Sequence, residues 1–507
     1  MSHLVIGPVL LPLFAGVVLL LGAGWPLAWQ RGLSLTAAAA LVPLSFLLLG
    51  TTLDGGYGVY ALGDWPSPFA IVLVADRLSA MLVALTSVLA LFALLHASRG
   101  TDAEGRHFHA LFQFQLFGVD GAFLTGDLFN LFVFFEVLLI ASYTLLLHGG
   151  GPVRTRAALH YVVLNLVGSS LFLIAAGVLY GVTGTLNLAE LAVRVAALPP
   201  GDAGLARAGG LLLLVVFGLK AALLPFHLWL PAAYAGAAAP VAALFAIMTK
   251  VGVYAILRVF TLVFGGSAGR LAGLGEAWLW PLALATVAVG AVGALGSRSL
   301  RRLVAYLVVV SVGTLLAGVA LGTGAARAAS LFYLVHSTLV TGGLFLLADV
   351  IGRRRGSASD SLVSGAPFAR PLVPGVLFVV LAVGMAGLPP LGGFLGKLLL
   401  LQAGVSSPRA PWLFAVVLGA GLLSLVALGR AGSTLFWRRS ETPGQEVGAG
   451  GRSGPLAPTV ALVSGVLLFA VLAGPVAELT RAAAAQLAEP AGFVNAVLGP
   501  RSGERVR

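Results

Sequence analysis

Apolar runs close to the ~20 residues that carry a helix across a bilayer recur along the whole chain, separated by short loops that hold most of the charge. Only 9% of residues are charged against 59% hydrophobic, a balance that no soluble domain of 507 residues shows. Inside hydrocarbon every backbone N–H and C=O needs an internal partner, and these uninterrupted runs satisfy that need as helices. The sequence therefore predicts an all-α polytopic membrane protein with about 14 transmembrane helices. The candidate spans run from Leu4–Gly22 to Ala457–Ala477. Two long ones, the seventh (Gly210–Tyr234) and the twelfth (Leu372–Gly404), are interrupted by proline and glycine. Residues 1–477 read as one membrane domain and 478–507 as a C-terminal tail, with a short surface helix at Ala482–Leu487. Leu53–Asp76 reads as a longer loop. The N-terminal run lacks a positive lead and a cleavage site, so it reads as the first membrane helix.

The basic residues divide into two kinds. Arginine fills the loops, and it is unevenly spread. One set of loops carries Arg31, Arg99, Arg106, Arg154, Arg156, Arg298, Arg301, Arg302, Arg353, Arg354, Arg355, Arg370, Arg438, Arg439 and Arg452. The alternate loops carry only Arg194, Arg207, Arg270, Arg327 and Arg409. The positive-inside rule places the rich set in the cytoplasm and both termini on the outer face. The tail's Arg501, Arg505 and Arg507 pull weakly the other way. The net charge of +12 is thus a topology signal, and no nucleic-acid partner is expected.

Lysine occurs three times, at Lys220, Lys250 and Lys397, each time inside an apolar run. Arginine keeps its proton everywhere in a protein, whereas a desolvated lysine can release one. An ionisable group at membrane depth is costly and marks an ion or proton path by default. Lys220 precedes Pro225 and Pro231, and Lys397 follows Pro389, Pro390, Gly392 and Gly393. Matching interrupted helices in two halves are the mark of inverted repeats with a site near mid-membrane. Lys250 has no acid in its own run. Glu136 sits in an apolar run with no other charge after Asp127, and Lys220 is its natural cationic partner. His336 is a candidate relay between lysines. His227 could line the first break. Asp127 and Asn130 read as a helix N-cap, and Asp349 as a partner of the Arg353–Arg355 cluster. Asp120 has no evident role. The chain has no cysteine and no phosphate-binding loop. That removes disulfides, thiolate metal sites and ATP-driven pumping, and no cofactor or metal site is expected.

Four stretches carry a family resemblance: TGDLFNLFVFFEVLLIASY, GLKAALLPFHLWLPAAY, APVAALFAIMTKVGVYAILRV and MAGLPPLGGFLGKLLLLQ. They resemble the antiporter-like membrane subunits shared by complex I (NADH-quinone oxidoreductase) and the Mrp-type Na+/H+ antiporters. The GDLFN–FFE stretch is most similar to the D-type subunit of the Mrp complex. The resemblance spans residues of roughly 70–430. It implies two inverted five-helix repeats, about 110–264 and about 277–436, each containing one of the broken helices. It also implies proton transfer along a hydrated axis of Glu136, Lys220, Lys250, His336 and Lys397, inside a larger complex of membrane subunits. One departure is Thr341, where relatives often carry a lysine.

Three functions follow as alternatives. The first is a subunit of a multisubunit Na+/H+ antiporter in a bacterial or archaeal cell membrane, a secondary transporter with no catalytic cofactor of its own. The second is a proton-pumping subunit of a complex I-like oxidoreductase or membrane hydrogenase. The third is a scaffold that moves no protons.

Overall fold

The computed structural model describes residues 2–65, 71–364, 371–437 and 456–499. Arg370, Arg438, Arg439, Arg452, Arg501, Arg505 and Arg507 lie outside the described residues.

The chain is almost entirely helical. In order it forms α1 (Ser2–Leu21), α2 (Leu27–Gly50), a hairpin of β1 (Gly58–Ala61) and β2 (Val72–Ala75), then α3 (Arg77–Ala97), α4 (Phe108–Leu124), α5 (Leu128–Leu147) and α6 (Pro152–Thr183). A short α7 (Leu188–Ala196) leads to the broken pair α8 (Ala203–Ala221) and α9 (Trp229–Gly236), followed by α10 (Ala239–Leu262). Then come α11 (Glu276–Leu295), α12 (Leu300–Ala320), α13 (Gly324–Arg354), the broken pair α14 (Leu372–Ala386) and α15 (Gly392–Gly404), and α16 (Ala410–Gly432). The chain closes with α17 (Leu456–Val471), α18 (Ala473–Ala488) and α19 (Pro490–Leu498).

Among the described residues, 11 helices are long and apolar enough to cross a membrane, or up to 12 if the bent α17–α18 pair counts as one. The expected figure of fourteen exceeds this because α4 and the two halves of the second broken helix are short. Local chemistry fixes several starts. The Asp76 side chain accepts from Ser79 N–H while the Ser79 hydroxyl accepts from Asp76 N–H, a reciprocal cap on α3. Asp127 accepts from Asn130 N–H at 2.8 Å, the N-cap that the sequence suggests.

Three features differ from the expectation. The Leu53–Asp76 loop contains the antiparallel hairpin, pairing Gly58 with Ala75. The surface helix α7 escapes a search for apolar runs because it is 9 residues long and sharply two-faced. The last span is bent by 77° between α17 and α18, so the predicted tail helix is part of a longer α18.

Burial sorts the helices into an inner and an outer layer. The most apolar stretches of α10, α12 and α13 are 100%, 94% and 94% buried, whereas those of α1, α2, α6 and α16 are 33–39% buried. A helix apolar on every side and enclosed by others is a core element, while the outer ones present their apolar faces to lipid.

Candidate functional site: a line of buried polar groups

The first break ends α8 one residue after Lys220, where Ala222 adopts a left-handed conformation (φ 62°). The freed Leu224 N–H donates to Thr286 Oγ1 on α11 at 2.9 Å, and Trp229 Nε1–H donates to Leu219 O at 3.1 Å. These bonds satisfy backbone groups that the interruption leaves open. The lysine turns away from the break. Its Nζ is 3.4 Å from Asn165 Oδ1, 3.5 Å from Asn165 O and 3.5 Å from Ser169 Oγ, all on α6. The Ser169 hydroxyl donates to Glu136 Oε1 on α5. Glu136 and Lys220 form no direct ion pair, which corrects the simplest sequence expectation. A serine hydroxyl stands between them. Phe135 lies beside the ammonium, its ring centre 5.8 Å away.

Lys250 is fully enclosed on α10. Its Nζ is 3.4 Å from Ser311 Oγ on α12 and 3.5 Å from Thr249 Oγ1, both long for an N–H···O bond. Gly252 brings α10 against the end of α8. A Cβ there would stand 2.5 Å from Ala221 N and 2.8 Å from the Lys220 carbonyl carbon. That close approach sets Lys250 within about one turn of the Lys220 backbone on the neighbouring helix.

At the second break, α14 ends at Ala386 and Gly387 takes a left-handed conformation (φ 83°). Lys397 on α15 donates from Nζ to Ala386 O at 2.7 Å. His336 on α13 donates from Nε2 to Gly384 O at 3.0 Å, because a carbonyl can only accept. Both donor groups are thus gathered by the carbonyl end of α14, where the helix dipole is negative. His336 Nδ1 has no partner, and the Phe469 ring of α17 packs against the imidazole at 5.7 Å between centres. Thr341, further along α13 from His336, is buried with an unpartnered hydroxyl.

Other polar groups take structural positions. Arg258 and Asp76 form a buried ion pair at 2.7 Å near the hairpin. Asp349 meets Arg353 at 2.6 Å as expected, and also Arg301 at 3.3 Å and His96 at 3.0 Å. His227 is buried at the first break with Nδ1 unpartnered. Asp120 on α4 is fully enclosed, and neither carboxyl oxygen has a partner. Outside the spans, burial raises the Asp127 carboxyl to about 6, against the lowering effect of its backbone hydrogen bonds. Sequence reasoning missed Asn165, Ser169, Ser311 and Thr286. Asn165 and Ser169 did carry a signal, since polar residues four apart share one face of a helix.

No group of three or more His, Asp or Glu side chains among the described residues has the arrangement of a metal site.

Residues 125–424 match the family model described as "NADH:quinone oxidoreductase/Mrp antiporter, TM". A relative from Rhizobium meliloti (strain 1021), named as the D-type subunit of a probable K(+)/H(+) antiporter, is 41% identical over 100% of this chain and 99% of its own length. The D-type subunit of the Na(+)/H(+) antiporter of Bacillus subtilis (strain 168) is 38% identical over 98% of this chain and 100% of its own. A chain in the structure of the Mrp complex from Dietzia sp. DQ12-45-1b superposes with a TM-score of 0.84 at 28% identity, covering 98% of this chain and 99% of that one. The multi-pass helical fold, the matched segment containing both broken helices and the full-length similarity agree, and the chain belongs to the NADH:quinone oxidoreductase/Mrp antiporter membrane-subunit family.

Proposed function

We propose that this chain is the D-type membrane subunit of a multisubunit monovalent cation/proton antiporter. Within it, Glu136, Lys220, Lys250, His336 and Lys397 pass protons through the membrane interior. The carrying observation is the pair of interrupted helices, each presenting a buried lysine to polar atoms inside an otherwise apolar core. Glu136 tunes Lys220 through Ser169. Lys250 is the intermediate station, enclosed and weakly bonded, and His336 and Lys397 hand over to one side at the second break. Thr341 stands where relatives often carry a lysine, and its hydroxyl is suited to orienting water between Lys250 and His336. The two segments about 110–264 and about 277–436 are the inverted repeats. Partners are further membrane subunits, with Na+ or K+ as the exchanged ion. The arginine-rich helix ends face the cytoplasm of a prokaryotic cell, which leaves both termini outside.

The redox-complex reading shares the family model, but the relatives 38% and 41% identical over nearly the whole chain are named as parts of antiporters. Lys250→Arg in the assembled complex tests the proposal, because it keeps the charge while forbidding release of the proton. Cation-dependent proton movement in membrane vesicles should fall to background with assembly intact. Wild-type transport in both Lys250→Arg and Lys220→Ala would instead support a scaffold.

A further inference from the structure

Asp120 on α4 is fully enclosed, and neither of its carboxyl oxygens has a hydrogen-bond partner. A polar group left so is uncommon in a folded protein, because an unmatched charge in the interior is costly.

The fold sets α4 and α10 side by side and parallel. Thr125, just past α4, bridges to Leu73 of β2. Asp76, just past β2, holds Arg258 near the end of α10 at 2.7 Å. Both helices thus finish at the hairpin. Before they do, they touch: Tyr254 Oη–H donates to Phe123 O at 2.6 Å, and the two rings meet edge to face with centres 5.2 Å apart. Asp120 lies three residues before Phe123, and Lys250 four residues before Tyr254. Each is one helical turn inward of the same contact, on or beside the face that makes it. The acid and the lysine therefore stand at about the same depth on neighbouring helices.

Little else is free to meet the acid. On the helices packed against α4, Arg31 holds Asp102, Arg258 holds Asp76, Arg77 donates to Leu53 O, and Glu136 accepts from Ser169. Lys250 has only two bonds to hydroxyls, of 3.4 and 3.5 Å, too long to hold it firmly. Turning its side chain from α12 toward α4 gives up little. Axes of packed helices lie about 8–10 Å apart, a gap that a lysine side chain and one water span.

We propose that Asp120 is a further proton-carrying residue, the acid that trades a proton with Lys250, an inference that rests on the relay proposed above. In the step, the Asp120 O–H bond breaks and its proton passes through one water to the Lys250 amine, leaving carboxylate and ammonium. The reverse transfer restores two neutral groups. The pair carries no net charge in either state, so the core is spared an unmatched ion.

The test is infrared difference spectroscopy on the assembled complex in proteoliposomes, at rest and under an imposed cation gradient. A carboxylic-acid C=O band that shifts in heavy water should lose intensity when the gradient is applied. Asp120→Asn should lack that band, and cation-dependent proton movement should fall about tenfold or more with the complex still assembled. Asp120→Glu should keep part of the transport and show the band at a displaced position, and it serves if Asp120→Asn does not assemble. An acid with a packing role alone gives no band that responds to the gradient, and that result overturns the inference. So does wild-type transport in Asp120→Asn. If Lys250→Arg abolishes transport while Asp120→Asn keeps it, the relay stands and Asp120 leaves it. Wild-type transport in both Lys250→Arg and Lys220→Ala removes the relay and this inference together.

Discussion

The two broken helices use the same backbone device for different chemistry. In both, a left-handed residue ends the first half and a buried lysine stands within about ten residues of it. At the first, the lysine points out of the break to Asn165 and Ser169, and through the serine to a carboxylate. At the second, the lysine points into the break and is held by the Ala386 carbonyl, with a histidine on Gly384 beside it and no acid among its hydrogen-bond partners. A carboxylate can gain or lose a full charge, while a helix-end carbonyl supplies a fixed partial one. The first region is thus built for adjustment and the second for a constant field.

The hardest blow to this contrast falls on Gly393. A Cβ there would overlap Gly384 O and lie 2.7 Å from His336 Nε2. Gly393→Ala should push α14 and α15 apart at a cost of about 3 kcal/mol or more, read as loss of the folded subunit in a thermal-stability assay on membrane extracts. A neutral outcome would mean that the second break does not close as described.

Next in size is Ser169→Ala, which removes the bridge between Glu136 and Lys220. A bond to a charged group is worth about 1.5–3 kcal/mol, so transport should drop by roughly tenfold or more and its pH profile should change shape. An unchanged profile would reduce the difference between the two regions to geometry alone. The second region offers no equivalent substitution, since a backbone carbonyl holds Lys397.

Thr286→Val acts on the first break without touching a charge. It strands the Leu224 N–H and should cost at least about 1 kcal/mol, with Thr286→Ser close to wild type. Thermal midpoints of the two variants decide it.

The smallest effect concerns Asp127, which caps the helix carrying Glu136. Its carboxyl is raised from 3.8 to about 6, so the fold favours the protonated form. Stability from this group is present at acid pH and declines as pH rises between those two values. Asp127→Asn keeps a capping oxygen and should raise the thermal midpoint above pH 6 but not at pH 4. A rise of equal size at both would deny the charge any part in it.

Much of this was legible because charge in an apolar run stands out. Glu136, Lys220, Lys250, His336 and Lys397 are visible for that reason, and the prolines and glycines announce both interruptions. The partners are harder to see. A serine or threonine in a membrane helix usually bonds to its own helix backbone, as Ser311 and Thr286 also do here, to Val308 and Leu282. Nothing local separates those that reach a lysine or an open N–H as well. The hairpin hides because its strands are four residues each. The bend before α18 hides because α17 and α18 together read as one span, although Gly474 and Pro475 hint at it.

Phe469 belongs to α17, outside both interrupted segments, yet its ring packs against His336, and a Cβ on Gly392 would meet it at 2.5 Å. Without α17 the imidazole and the start of α15 would lose that apolar cover. On the proposed relay, α17 would act as insulation on a wire, denying protons a way out sideways at the second break.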